Sequence, residues 1–135
     1  MTQWRTAMSL INLIEEVNAA HPGRDKSWDG TIGDARHQAE KSDHNPNARG
    51  VVTGMDITND PAHGFDAGKF SETFRAAKDP RIKYVISNKR MFSSYRAHGI
   101  EPWTWRPYTG ENTHEHHVHI SVLDEVADDH PWTIS

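Results

Sequence analysis

A chain of 135 residues suffices for one domain with its own core and suggests no second binding module, so residues 1–135 are expected to form a single catalytic domain. The absence of cysteine excludes disulfides and thiol catalysis and leaves histidine and carboxylate as the available strong metal ligands. A formal net charge of -4 argues against non-specific nucleic-acid binding as the main task, and no apolar run is long enough to cross a bilayer, so stable membrane insertion is not expected. The start, Met1-Thr-Gln-Trp-Arg5, lacks a charged region followed by an apolar stretch, and no signal peptide is read there.

In chain order, Ser9 is expected to cap a helix that carries Leu10, Leu13, Ile14 and Val17 on one face and stops at His21-Pro-Gly23. Residues 25–33 are polar and turn-rich, and a short helix follows to about Lys41. Turn formers at Asn45-Pro46-Asn47 and Arg49-Gly50 lead into a strand from Val51 to Thr58. Its alternation sets Val51, Thr53, Met55 and Ile57 on one face and Val52, Gly54, Asp56 and Thr58 on the other. A turn at Asp60-Pro-Ala-His-Gly64 precedes a second helix, capped by Asp66 and running through Ala77 with Phe70, Phe74 and Ala77 inward. Lys78-Asp-Pro80 ends it. Ile82 to Ser87 reads as a strand, and Met91 to Tyr95 as another.

The most informative segment is Glu111-Asn-Thr-His-Glu-His-His-Val-His-Ile-Ser121, which holds four of the ten histidines. On a strand, His117 and His119 project together while His116 and Val118 point the other way. Such a tract also fits a solvated loop or an adventitious metal binder. Being internal, and running into the apolar alternation Val118, Ile120, Val122, it is not a terminal tag. Upstream, His44 and Asp56 flank the turn, with Gly54 leaving space beside the carboxylate. His44, Asp56 and His119 make a three-ligand set, and three protein ligands with the fourth position left to water is the pattern of catalytic zinc. A lone strand aspartate would more simply be an exposed carboxylate or an Asx hydrogen bonder. His63 precedes a glycine in a turn, where solvent exposure is the rule, and stays outside the ligand set.

Ser42-Asp-His-Asn-Pro46, Gly50-Val-Val, Asp56-Ile-Thr58, Lys83-Tyr-Val-Ile-Ser87, Trp105-Arg-Pro-Tyr108 and the run from His114 to Ser121 together resemble the VanY-like peptidoglycan peptidases of phages and bacteria. These belong with lysostaphin, the D-alanyl-D-alanine carboxypeptidases and the hedgehog fold. The likeness runs from about Asp25 to Val122. It implies an α+β fold, a small, mainly antiparallel sheet flanked by helices, and it matches His44, Asp56 and His119 to zinc ligands. The His114, His117, His119 run is also similar to that of penicillin-insensitive murein endopeptidases, in which the first two serve catalysis and the last binds metal.

Two departures matter. In the carboxypeptidase branch the first ligand and the aspartate lie closer in sequence, and a catalytic glutamate stands where this chain has His116. A longer turn costs little loop-closure entropy, but the missing glutamate leaves the general base open between His117 and Glu115. His114 is the first candidate to stabilise an oxyanion; Arg36, in a position where arginine is more often a solvated helix residue, is a weaker one. Trp103, Trp105 and Tyr108 either wall a substrate cleft, with Arg106 pairing to a carboxylate, or cover the sheet edge.

The expected activity is zinc-dependent hydrolysis of an amide bond in the stem peptide or cross-link of bacterial peptidoglycan. The implied protein is a monomeric phage endolysin, held in the host cytoplasm until released to the cell wall. A D,D-carboxypeptidase of bacterial wall remodelling is the first alternative, and a zinc-stabilised wall-binding module without turnover is the second. The sequence does not choose between L-alanyl-D-glutamate and diaminopimelate-D-alanine bonds.

Overall fold

Period-two alternation in the middle and last third of the chain builds a sheet with one apolar face and one that carries polar side chains. The structure, a computed structural model, describes residues 5–27, 29–30, 51–109, 116–123 and 132. In chain order the elements are β1 (Arg5–Thr6), α1 (Met8–Ala20), β2 (Val51–Val52), β3 (Gly54–Thr58), a 3-10 turn (Pro61–His63), α2 (Ala67–Ala77), β4 (Ile82–Ser87), β5 (Arg90–Ser93), β6 (Arg106–Pro107) and β7 (His117–Val122). Five strands lie side by side in the order β3-β7-β4-β5-β6, every pair antiparallel, while β1 and β2 form a separate parallel pair. Among the described residues this is an α+β fold with two helices and a mainly antiparallel sheet. The helix expected before Lys41 lies outside them.

Both helices bury the faces their sequences mark. Leu10, Leu13 and Val17 are fully buried on α1, and Phe70 and Phe74 on α2. Ser9, however, is not the cap of α1: the N-cap is Ala7, without a side-chain hydrogen bond. One position into the helix proper, Ser9 is buried, and its carbonyl accepts Trp132 Nε1–H at 2.9 Å. On α2, Asp66 caps as expected, its Oδ1 accepting the Gly68 and Lys69 N–H groups at 2.9 and 3.1 Å. Ala77 is exposed rather than inward, at the last position before Lys78 closes the helix in the left-handed region at φ 50.

The expected strand from Val51 to Thr58 is two strands. Val51 and Val52 pair with β1, whereas the Thr53 carbonyl accepts the Val122 N–H at 2.8 Å and hands the chain to β7. Strand β5 begins at Arg90 and ends at Ser93, since Ser94 turns its N–H and hydroxyl onto the Lys83 carbonyl, at 2.9 and 3.1 Å. Met55, Ile57, Val85, Phe92, Val118, Ile120 and Val122 make the apolar face and join the residues of α1 and α2 in one core. Trp132 closes it, its ring 5.2 Å from that of Phe74 and under the Arg81 guanidinium at 3.8 Å.

Trp103 and Trp105 settle on this helix side, packed against Phe92 with ring centroids at 5.8 and 4.9 Å. Trp105 Nε1 donates to Glu72 Oε2 at 2.7 Å, and Arg75 donates to the Trp103 carbonyl at 3.1 Å. The two indoles therefore cover the sheet; they do not wall a cleft beside Asp56, which projects from the opposite face. Arg24 supplies the other long-range tie. Its side chain is fully buried and donates to Asn18 Oδ1 at the end of α1 and to both oxygens of Asp29, at 3.0 and 2.6 Å. Asp29 Oδ1 in turn accepts the Thr58 N–H of β3 at 2.8 Å.

Arg24→Ala is expected to destabilise the fold by about 3–5 kcal/mol in urea unfolding, because it strands the Asp29 carboxylate and cuts α1 from β3. The Arg75 guanidinium, followed by the Trp105 indole, holds the Glu72 carboxyl down from 4.5 to about 2. A depressed carboxylate contributes stability above its unfolded pKa, and that contribution disappears as pH falls through the folded value. The melting-temperature gap between wild type and Glu72→Gln is expected to be open at pH 7 and to close between pH 4.5 and about 2.

Candidate metal and acid-base site

The polar face of the sheet is organised by the pairing of β3 with β7, which sets Asp56 directly opposite His119, Thr58 opposite His117 and Gly54 opposite Ser121. Asp56 turns both backbone groups away from β7. Its N–H donates to the Gly30 carbonyl at 2.8 Å, and its carbonyl accepts the Gly30 N–H at 3.1 Å. Asp56 and His119 are therefore a non-hydrogen-bonded pair, the kind that brings opposed Cα atoms to about 4.5 Å and their side chains closest together. His119 Nδ1 stands 3.1 Å from Asp56 Oδ1, and His117 Nε2 3.3 Å from Asp56 Oδ2. Each imidazole addresses its own carboxylate oxygen.

Both histidines are buried, at 4% exposure each. The second nitrogen of His119 lies 2.8 Å from Ser121 Oγ, and the Tyr84 ring stacks on the imidazole at 5.4 Å and 19°. These contacts fix the ring from three sides. If Nδ1 carries the proton, Asp56 accepts it and Nε2 accepts from the serine hydroxyl; with a cation at Nδ1, Nε2 becomes the donor to Ser121. Sequence reading did not name either supporting residue. Ser121 was legible, since it shares strand parity with His119. Tyr84 required the β4 to β7 register, in which it pairs with Ser121.

Of the residues expected at the site, Asp56, His117 and His119 come together on one face, whereas His44, His114, Glu115 and Arg36 lie outside the described residues. His116 is exposed and serves through its backbone, its carbonyl accepting the Asn59 N–H at 2.9 Å. His63 pairs with Asp60 at 2.7 Å, with 60% of its side chain exposed as a turn histidine is expected to be.

The donor set suits zinc, which takes imidazole nitrogen and carboxylate oxygen. Bonds of about 2.0–2.1 Å at a near-tetrahedral angle place neighbouring ligand atoms about 3.3 Å apart, and the separations of Asp56 from His119 and from His117, 3.1 and 3.3 Å, are both close to that edge. Among the described residues no three histidine or carboxylate side chains form a complete metal-holding group. A zinc shell would need a further ligand, for which the sequence points to His44, outside the described residues.

No family model, no curated protein and no solved structure matches this chain. The chemistry of the site is therefore derived from its own geometry. Ser121→Ala is expected to leave the fold intact and to weaken zinc binding by about 10- to 100-fold, the usual effect of removing the group that orients a ligating histidine. Calorimetric titration of the metal-free protein with zinc measures it.

Proposed function

We propose that this chain is a zinc-dependent peptidase of bacterial peptidoglycan, with a hedgehog- and D-alanyl-D-alanine-peptidase-like arrangement of its sheet, acting as a phage endolysin. The observation that carries the reading is the Asp56 carboxylate held between two buried imidazoles, each on a different oxygen. Such an arrangement supports a division of labour: one histidine shares a cation with the aspartate while the other moves a proton. Asp56, His119 and His44 would hold the metal, which when bound supplies Lewis acidity and lowers the pKa of water toward ~7.

The remaining steps belong to the chain itself. Ser121 and Tyr84 keep the His119 ring in one orientation. His117 takes the proton of the attacking water in this reading and returns it to the leaving amine, and the intrinsic pKa of imidazole suits both transfers. Asp56 Oδ2 stabilises the imidazolium between those two events. His114 is assigned to the oxyanion and Glu115 is the alternative base. Burial of the pair excludes bulk water and strengthens each of these electrostatic effects. The substrate class, an amide of the wall stem peptide, comes from the resemblance of the histidine and aspartate motifs, as do release from the host cytoplasm and the monomeric state.

Three variants test this reading against purified peptidoglycan, with zinc by elemental analysis and products by mass spectrometry. His119→Ala and Asp56→Ala are expected to lose zinc and cleavage together, and chelation to abolish cleavage in the wild type. His117→Ala is expected to keep zinc yet lose about 10²- to 10⁴-fold in turnover. Near wild-type cleavage in that variant would move the base to Glu115, and loss of its zinc would make both strand histidines ligands. Undiminished cleavage by verified metal-free protein sinks the metallopeptidase reading.

A further inference from the structure

The outer edge of β3 is gripped at two residues, and each lies opposite a histidine of the site. Gly30 exchanges two backbone hydrogen bonds, of 2.8 and 3.1 Å, with Asp56, the partner of His119. Asp29 Oδ1 accepts the N–H of Thr58, the partner of His117, at 2.8 Å. Successive residues of one loop thus hold alternate residues of the strand. The N–H groups of Asp56 and Thr58 point away from β7, so the ladder to β7 does not by itself fix the tilt of those peptide units. A strand side chain leaves in the direction that its own backbone sets, and the Asp56 carboxylate therefore follows the peptides that the loop holds.

The loop is anchored from behind. The buried Arg24 guanidinium donates to both oxygens of Asp29, at 3.0 and 2.6 Å, and to Asn18 Oδ1 of α1 at 2.8 Å. Such a fork fixes the plane of a carboxylate as well as its distance. The Asp29 N–H closes a turn onto the Lys26 carbonyl at 3.1 Å. A Cβ at Gly30 would meet nothing within 4 Å, so what this position supplies to β3 is its backbone donor and acceptor. The path from α1 through Arg24 and Asp29 ends on the backbone of the two residues that face His117 and His119.

We propose that Asp29 and Gly30 are positioning residues for the site, a backbone clip set by Arg24 that holds the Asp56 carboxylate where it shares a cation with a strand histidine. The proposal rests on the metal reading of Asp56 and His119 and adds to it the residues that set its geometry. Ligand atoms must be held to within about 0.5 Å of the productive arrangement, and a group that orients a ligand is worth about 10- to 100-fold in metal affinity. Ser121 acts on the imidazole, whereas the clip acts on the backbone of the carboxylate ligand. The two contributions are therefore separable by mutation.

The test titrates zinc calorimetrically into the metal-free full chain, at a temperature where each variant is folded. Gly30→Pro removes the N–H that bonds the Asp56 carbonyl, Gly30→Ala retains it, and Trp132→Phe removes the indole bond to the Ser9 carbonyl in the core, away from the site. Gly30→Pro is expected to weaken zinc binding by at least about tenfold, with Gly30→Ala and Trp132→Phe within about threefold of wild type. A smaller loss in Gly30→Pro, or an equal loss in Trp132→Phe, overturns the proposal, the second because it would mark a general effect of stability. Should Gly30→Pro fail to fold, Asp29→Asn, which weakens the Arg24 fork while leaving an oxygen for Thr58, is judged by the same criterion. A second readout needs no metal. The His119 ring resonances are expected to shift further in Gly30→Pro than in Gly30→Ala and to stay in place in Trp132→Phe, and unmoved resonances in Gly30→Pro overturn the clip. A wild type that binds no zinc sinks the metal reading and leaves the resonances to decide the clip; clip-dependent zinc binding without cleavage of peptidoglycan keeps the clip and sinks the peptidase reading.

Discussion

The rest of the molecule depends on the register between β3 and β7. A slip of one residue would drive Asp56, His117 and His119 into the helices and expose Met55, Ile57, Val118 and Ile120. Each of those apolar side chains contributes about 1.5–3 kcal/mol by its burial. The carboxylate-imidazole contacts are worth less than their sum and need not hold the strands in place. The core thus fixes the site, and the site is free to be electrostatically demanding. Gly30 adds the finer constraint, since by taking both backbone groups of Asp56 it makes the Asp56–His119 pair the close type.

The division of the sheet into two faces also explains the loop that carries Trp105 and Arg106. On the helix side the indole needs a polar partner for its N–H and finds Glu72, so α2, the loop and Phe92 form one bonded unit. Trp103 adopts the left-handed region, at φ 62, which is unusual for a bulky residue, and its N–H bond to the Ser93 carbonyl at 2.8 Å holds it there. Anchoring one residue of the loop in this way determines where the next one points. Arg106 reaches the polar face because Trp105 is committed to the core.

Local alternation made the strand that carries Asp56 legible, and it placed His117 and His119 together, because parity within one strand needs no knowledge of its partner. The same logic found the inward faces of both helices and the Asp66 cap. It failed where a distant segment decides the outcome. Ser9 lost its capping role in a helix that starts at Met8, and the residue that seals that helix, Trp132, lies at the other end of the chain. The break at Thr53 arises from a change of pairing partner that no local pattern encodes. Tyr84 and Arg106 are likewise defined only once the strands are in register.

The polar face poses a question of folding economy. Ser93, His117, His119, Ser121 and Arg106 are all buried, and Ser93 Oγ has no hydrogen-bond partner among the described residues. A face serving only as a second core would carry valine and isoleucine at these positions, since buried polar groups must be compensated and apolar substitutes of similar volume are often more stable. The sequence shows that the chain can supply them, because the residues between, Val118, Ile120 and Phe92, are of that kind. Retaining serine, histidine and arginine at these buried positions, while the opposite face of β3 and β7 carries only Met55, Ile57, Val118, Ile120 and Val122, fits a surface kept at some expense of stability for chemistry. By this criterion the face of the sheet that carries Asp56, His117 and His119 is a stronger candidate for the functional surface than its opposite face.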